Sequence, residues 1–207
     1  MKRIVVFASG SGSNYQKIKV SIDNKYINGK IVLLISNNPN CGAVEFSKLH
    51  NIDYEIINDY RYPIEKDKNN QYELVLNSYK TDLILLAGFM KKIPCNIVDI
   101  YKNKIMNIHP SLLPKYGGKG FFGINVHKKV IENNEEYTGA TVHFVNNNYD
   151  EGQIIIQRRV KVDPSDTADS ISSKVLEIEH RIYTIAVEKF CSDNLSINES
   201  IIINEQY

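Results

Sequence analysis

Short unbroken apolar runs punctuate the first half of the chain. Residues 4–7 (IVVF), 31–35 (IVLLI) and 83–87 (LILLA) are the clearest, and 54–57 and 105–109 are weaker versions. Such runs suit strands buried on both faces. Mixed apolar and polar stretches between them predict helices from Tyr15 onward and over 43–50, 71–80 and 94–102, with Pro94 suited to a first helical position. Residues 58–70 are polar and read as a loop. Strand alternating with helix argues for a parallel, doubly wound sheet.

After Pro110 the rhythm changes. A glycine-rich loop leads into an amphipathic helix over 125–133. Strands over 141–145 and 154–162 flank the turn 146–152 and are close enough to pair as a hairpin. A last helix runs from about 167 to 190, with Asp166 or Ser165 as its cap. The expected fold class is therefore α/β, doubly wound around a mostly parallel central sheet, with a late mixed or antiparallel strand region. No repeat or long linker divides the chain, so 1–190 reads as one domain and 191–207 as a polar tail with one apolar run.

Composition narrows the function classes. The chain has 207 residues, a hydrophobic fraction of 43% and a charged fraction of 24%, ordinary for a globular protein. A net charge of +1 leaves no broad basic field for a nucleic acid backbone. The first apolar run is far too short for a signal peptide or a membrane span. Cys41, Cys95 and Cys191 are scattered and in no metal spacing; they read as reduced thiols, and the expected location is cytoplasmic. The Asn-x-Ser sequons at Asn194 and Asn198 carry no weight without a secretory signal. No metal site is expected.

Two stretches carry candidate chemistry. Ser9-Gly10-Ser11-Gly12-Ser13-Asn14 lies between the first strand and the first helix, where such folds bind phosphates. Tyr15 stands where a dinucleotide fingerprint needs its third glycine, no acidic residue follows the second strand, and the Walker sequence is absent. Phosphate monoester binding stands ahead of a merely tight strand–helix turn, because Ser11 and Ser13 add hydroxyl donors that a plain turn would not need. Asn107 and His109, two apart on a strand, point to one face at its carboxyl end. An amide beside an imidazole suits a developing oxyanion. A carboxylate near His109 would favour the imidazolium; spacing alone does not choose between Asp150 and Glu151. Of the other histidines, His143 faces either core or site, His50 and His127 read as surface, and His180 as structural. Lys115 and Lys119 read as solvated loop lysines.

The segments FASGSGSN, LAGFM, NIHPSLLPKYGGKG, TGATVHFV and DEGQIIIQ together resemble the phosphoribosylglycinamide formyltransferases, a folate-dependent formyltransferase family of purine biosynthesis. The likeness runs from about Arg3 to Phe190. NIHPSLLP is shared with other folate-dependent formyl-transferring enzymes; SGSGSN is the more selective element. The resemblance implies a Rossmann-like formyltransferase fold, with a nucleotide-binding half over 1–103 and a folate and catalytic half over 104–190. It implies formyl transfer from 10-formyltetrahydrofolate, as cosubstrate, to the amine of 5'-phosphoribosylglycinamide. It implies small-molecule partners only, without nucleic acid or membrane, and a monomer or homodimer.

By the same resemblance Asn107, His109 and Asp150 form the catalytic trio. Gly12, Ser13, Asn14 and Tyr15 lie on the nucleotide phosphate, and Glu179 contacts the same substrate. Met90, Lys91, Lys92 and Ile93 border the folate, largely through backbone groups, and Asn146, Asn147 and the turn to Asp150 close that pocket. Asp150 is expected to keep His109 charged near neutral pH. Two departures stand out. Glu65 or Lys66, with Arg61 nearby, falls where the family often has a folate-contacting arginine. GGKGFFGINVH resembles a longer loop variant, and its glycines suggest a mobile flap. Related readings are a 10-formyltetrahydrofolate hydrolase, a methionyl-tRNA formyltransferase, whose further C-terminal domain is not expected here, and a silent nucleotide-binding relative.

Overall fold

The computed structural model describes residues 1–195 and 201–203. In chain order the elements are β1 (Lys2–Phe7), α1 (Ser13–Asp23), β2 (Gly29–Ser36), α2 (Gly42–Leu49), β3 (Tyr54–Ile56), α3 (Glu65–Ser78), β4 (Leu83–Leu86), α4 (Cys95–Ile100), β5 (Ile105–His109), α5 (Ile124–Glu132), β6 (Tyr137–Phe144), β7 (Ile154–Lys161), α6 (Ala168–Cys191) and β8 (Ile201–Ile203). One eight-stranded sheet has the order β3-β2-β1-β4-β5-β6-β7-β8. Strands β1 to β5 pair in parallel, β6 runs antiparallel to both β5 and β7, and β8 is parallel to β7. This is the expected α/β sheet with a mixed late region.

Alternation along β1 shows how the sequence builds two layers. Ile4, Val6 and Ala8 join a core completed by α1, α2, α5 and α6, while Val5 and Phe7 join the opposite core with α3 and α4. Helix α6 is the longest brace. Its Tyr183 hydroxyl sits 3.1 Å from the Leu86 carbonyl oxygen and 3.0 Å from that of Met106, which ties the helix to the end of β4 and to β5 beside Asn107.

Several boundaries differ from expectation for physical reasons. Helix α3 begins at Glu65, inside the expected loop: its first turns are solvated, and Glu65 and Asp67 there suit the positive helix end. Pro94 is the cap of α4 rather than its first residue. The cap of α6 is Thr167, not Asp166 or Ser165; it accepts from the Ser170 N–H while the Ser170 hydroxyl accepts from the Thr167 N–H. Strand β6 starts at Tyr137, pairing with β7 from there, and within it Gly139 lies so close to β7 that an added Cβ would sit 2.0 Å from the Arg158 carbonyl oxygen. A glycine that reads as a break is here a close approach. The apolar run of the tail is the edge strand β8. The sequon at Asn198 lies outside the described residues.

Candidate active site

The carboxyl ends of β1, β4 and β5 open onto a cavity of about 690 Å³. The strand order reverses between β1 and β4, and ligands of open α/β sheets bind at such a switch point.

At one end is the loop after β1. Gly12 caps α1 with φ 74°, and an added Cβ would meet the Ala43 Cβ at 2.9 Å. Only glycine suits that conformation and that space. No side chain caps α1 and its first turn has no acidic residue, so the helix end keeps its affinity for anions. Asn14 Nδ2 donates to Glu179 Oε2 at 2.7 Å, from α1 to α6. Asn14 Oδ1 is buried with no partner among the described residues. Burial pushes the Glu179 carboxyl up to about 7, against a smaller downward pull from the Asn14 amide.

In the middle β5 presents Asn107 and His109. His109 Nε2 lies 2.8 Å from the Tyr116 carbonyl oxygen. A carbonyl only accepts, so Nε2 carries the hydrogen of the neutral ring. Nδ1 faces Asp150 Oδ2 at 3.7 Å. That carboxylate comes from the β6–β7 turn, where Asp150 itself has φ 56°. The Gly118 N–H donates to Asp150 Oδ2 at 2.8 Å and ties the glycine loop to it. His143, opposite Asn107 in the β5–β6 register, donates from Nδ1 to the Phe144 carbonyl at 2.8 Å. Its Nε2 therefore accepts from Asn107 Nδ2 at 3.1 Å, and the same amide nitrogen lies 3.4 Å from Asp150 Oδ1.

Burial works against Asp150, yet the neighbouring imidazoles of His143 and His109 and the Gly118 N–H together hold its carboxyl below the usual range. His109 behaves otherwise. Burial lowers its pKa below the ordinary histidine value and outweighs Asp150 and the Tyr116 carbonyl, with His143 adding a further push down. The expectation that Asp150 keeps His109 charged near neutral pH is thus corrected: the ring is too desolvated, and 3.7 Å is too long for a direct hydrogen bond.

At the far end Met90, Lys91, Lys92 and Ile93 line the wall, and the Met90 N–H donates to Ser9 Oγ at 2.8 Å. The Lys92 ammonium stands 5.5 Å from the centre of the Tyr149 ring. Phe121 and Phe122 of the glycine loop form part of the rim.

Residues 2–187 match the family model described as formyl transferase. The chain is 38% identical over 209 residues to the chloroplastic phosphoribosylglycinamide formyltransferase of Arabidopsis thaliana, spanning 99% of this chain and 72% of that one. It is 32% identical to the phosphoribosylglycinamide formyltransferase of Haemophilus influenzae, spanning 97% and 92%. The chain belongs to the phosphoribosylglycinamide formyltransferase family. The crystal structure of glycinamide ribonucleotide transformylase 1 from Symbiobacterium toebii superposes with a TM-score of 0.88 at 32% identity, over 100% of this chain and 95% of that one.

Most residues singled out by the resemblance to this formyltransferase family meet on the one cavity: Gly12, Ser13, Asn14 and Glu179 at one end, Asn107, His109 and Asp150 in the middle, and Met90 to Ile93 with Asn146 at the other. Two do not. The Tyr15 ring is buried in the core, its hydroxyl 2.9 Å from Ser47 Oγ. Asn147 turns to Asp99 at 3.3 Å, and Asn148 lines the cavity in its place. Arg61 lies 3.9 Å from Glu55, and neither it nor Glu65 nor Lys66 is on the lining. Lys115 pairs with Glu135 at 2.8 Å, whereas Lys119 lines the cavity. His50 is exposed as expected. His127 is not: it is 2% exposed and on the cavity wall. Sequence reading left His143 undecided because only the pairing with β5 fixes which face of β6 it shares with Asn107. Among the described residues no group of three or more His, Cys, Asp or Glu is placed to hold a metal ion, and no helix is long and apolar enough to cross a membrane.

Proposed function

We propose that this chain transfers the formyl group of 10-formyltetrahydrofolate to the amine of 5'-phosphoribosylglycinamide, a step of purine biosynthesis. The observation that carries the reading is the meeting of Asn107, His109 and Asp150 in one cavity whose end is an uncapped, glycine-entered helix terminus. The helix end takes the phosphate through Ser13 and Asn14 and through the Tyr15 backbone N–H, with Glu179 on the sugar side. Met90 to Ile93, with Asn146 and its neighbours, take the folate.

The chemistry follows from proton positions. The neutral amine attacks the formyl carbon, and the carbonyl oxygen becomes an oxyanion while the nitrogen gains positive charge. Asp150, ionised and beside His109 Nδ1, accepts the surplus amine proton and passes it to that nitrogen. The resulting imidazolium and one hydrogen of the Asn107 amide hold the oxyanion. Collapse breaks the bond from the formyl carbon to the folate nitrogen, and the same proton goes to that nitrogen. The amine loses one proton and the folate gains one, so no acid or base is consumed. Desolvation keeps His109 neutral beforehand, and the negative charge that appears next to it during attack raises its affinity for the proton. In this reading the enzyme works in the cytoplasm on small molecules, as a monomer or homodimer, with 1–190 as its single domain.

The test is formyl transfer measured for the wild type and for His109→Ala. We expect product from the wild type and a loss of at least ~100-fold in the variant. Release of free formate without ribonucleotide product would replace this reading with hydrolysis.

A further inference from the structure

Helix α5 turns an apolar stripe to the core, and Val126 and Val130 on it are fully buried. His127 lies beside them at 2% exposure. A polar ring is costly there unless it is hydrogen-bonded. Its Nδ1 is nevertheless buried with no partner among the described residues. The ring is also on the wall of the catalytic cavity. Helix α5 packs on α6, whose Ser172, Leu176 and Glu179 line the same cavity. The ring is also close enough to His109 that a proton on one disfavours a proton on the other. Burial first, and His109 second, bring its pKa down to about 4, so it is a neutral ring with one donor and one acceptor. The ring shares this cavity wall with Glu179 and His109, and in the function proposed above the stretch of ribonucleotide between its phosphate and its reacting amine lies along that wall. That stretch carries hydroxyls and an amide, which both donate and accept.

We infer that His127 is a substrate-binding residue whose ring hydrogen-bonds the sugar–amide portion of the ribonucleotide. The inference rests on the proposed function, because it takes that ribonucleotide as the occupant. It explains why the polar atom is left unpaired within the protein: its partner belongs to the substrate. A purely structural histidine would be bonded within the fold.

The experiment is steady-state formyl transfer and thermal melting for wild type, His127→Phe and His127→Gln. For His127→Phe we expect a ribonucleotide KM raised about tenfold or more, a folate KM within about twofold, and a melting temperature of the ligand-free protein no lower than wild type, since an unpaired polar atom has been removed. The rise in melting temperature that the ribonucleotide alone confers on the wild type should shrink in this variant. His127→Gln, which keeps a donor and an acceptor, should recover much of the KM. Active wild type with both variants inside about twofold of its ribonucleotide KM would overturn the inference and leave the proposed function standing. If His127→Phe does not fold, His127→Gln decides: an unchanged ribonucleotide KM and an unchanged ligand-induced melting shift overturn it. A wild type that transfers no formyl group removes the proposed function itself.

Discussion

Two carboxylates in one cavity have opposite fates. Glu179 meets a single neutral amide, and burial drives its carboxyl up to about 7. Asp150 is also buried, but two imidazoles and the Gly118 N–H outweigh the burial and hold it low. Desolvation alone does not decide charge; the number and kind of partners do. The cavity therefore places a fixed negative charge where protons must move and a proton-adjustable one where the ribonucleotide is proposed to bind.

The sharpest way to break the contrast is to neutralise its ionised member. Asp150→Asn keeps the shape and loses the charge, and we expect turnover to fall by about 10²–10⁴-fold with an unchanged circular dichroism spectrum. Turnover near wild type across pH would end the role given to Asp150. The second test acts on the other member. Glu179→Gln fixes that side chain in its neutral form, so the pH dependence of ribonucleotide affinity between about 5 and 8 should flatten, with affinity changed by several-fold at most. Its stability consequence has a definite sign. A carboxyl raised to about 7 keeps its proton when the unfolded chain has already lost it, so wild type loses stability as pH rises from its unfolded value toward about 7. Glu179→Gln should not show that decline in melting temperature. Asp150 works in the reverse sense, giving stability above its unfolded pKa that is lost as pH falls. The smallest effect belongs to a control far from both groups. Thr167→Ala removes the α6 cap and should lower stability by about 1 kcal/mol without moving either KM, as read by urea denaturation and the same assay.

The parallel half of the fold was legible because its code is local. An apolar run such as 4–7 needs only to be read, and Gly12 before Ser13 announces a tight entry to a helix. The antiparallel edge depends on pairing that no local pattern states. Thr138 and Gly139 look like a loop until β7 is seen against them, and His143 joins Asn107 only through the β5–β6 register. The first turns of α3 hid behind a polar, solvated face, and the α6 cap was missed in favour of neighbours with equally good capping chemistry. At the site, Asn107, His109 and Asp150 were placed by motif resemblance, but their charge was not: the burial that lowers His109 belongs to the assembled cavity. His127 misled for the same reason, since a histidine on a short helix reads as solvent-facing until the assembled fold buries it on the cavity wall.

One earlier contact sets a scale for the whole cavity. Tyr183 hangs its hydroxyl between the carbonyls of Leu86 and Met106, and Glu179 precedes it by one helical turn on α6. The phenol therefore acts as an index pin, holding α6 against sliding along the strand ends that carry Asn107 and His109. With the pin in place, the span from Glu179 to the reacting centre is a fixed length, and the protein becomes a gauge for its acceptor: an amine carried too near the phosphate, or too far from it, misses the formyl carbon.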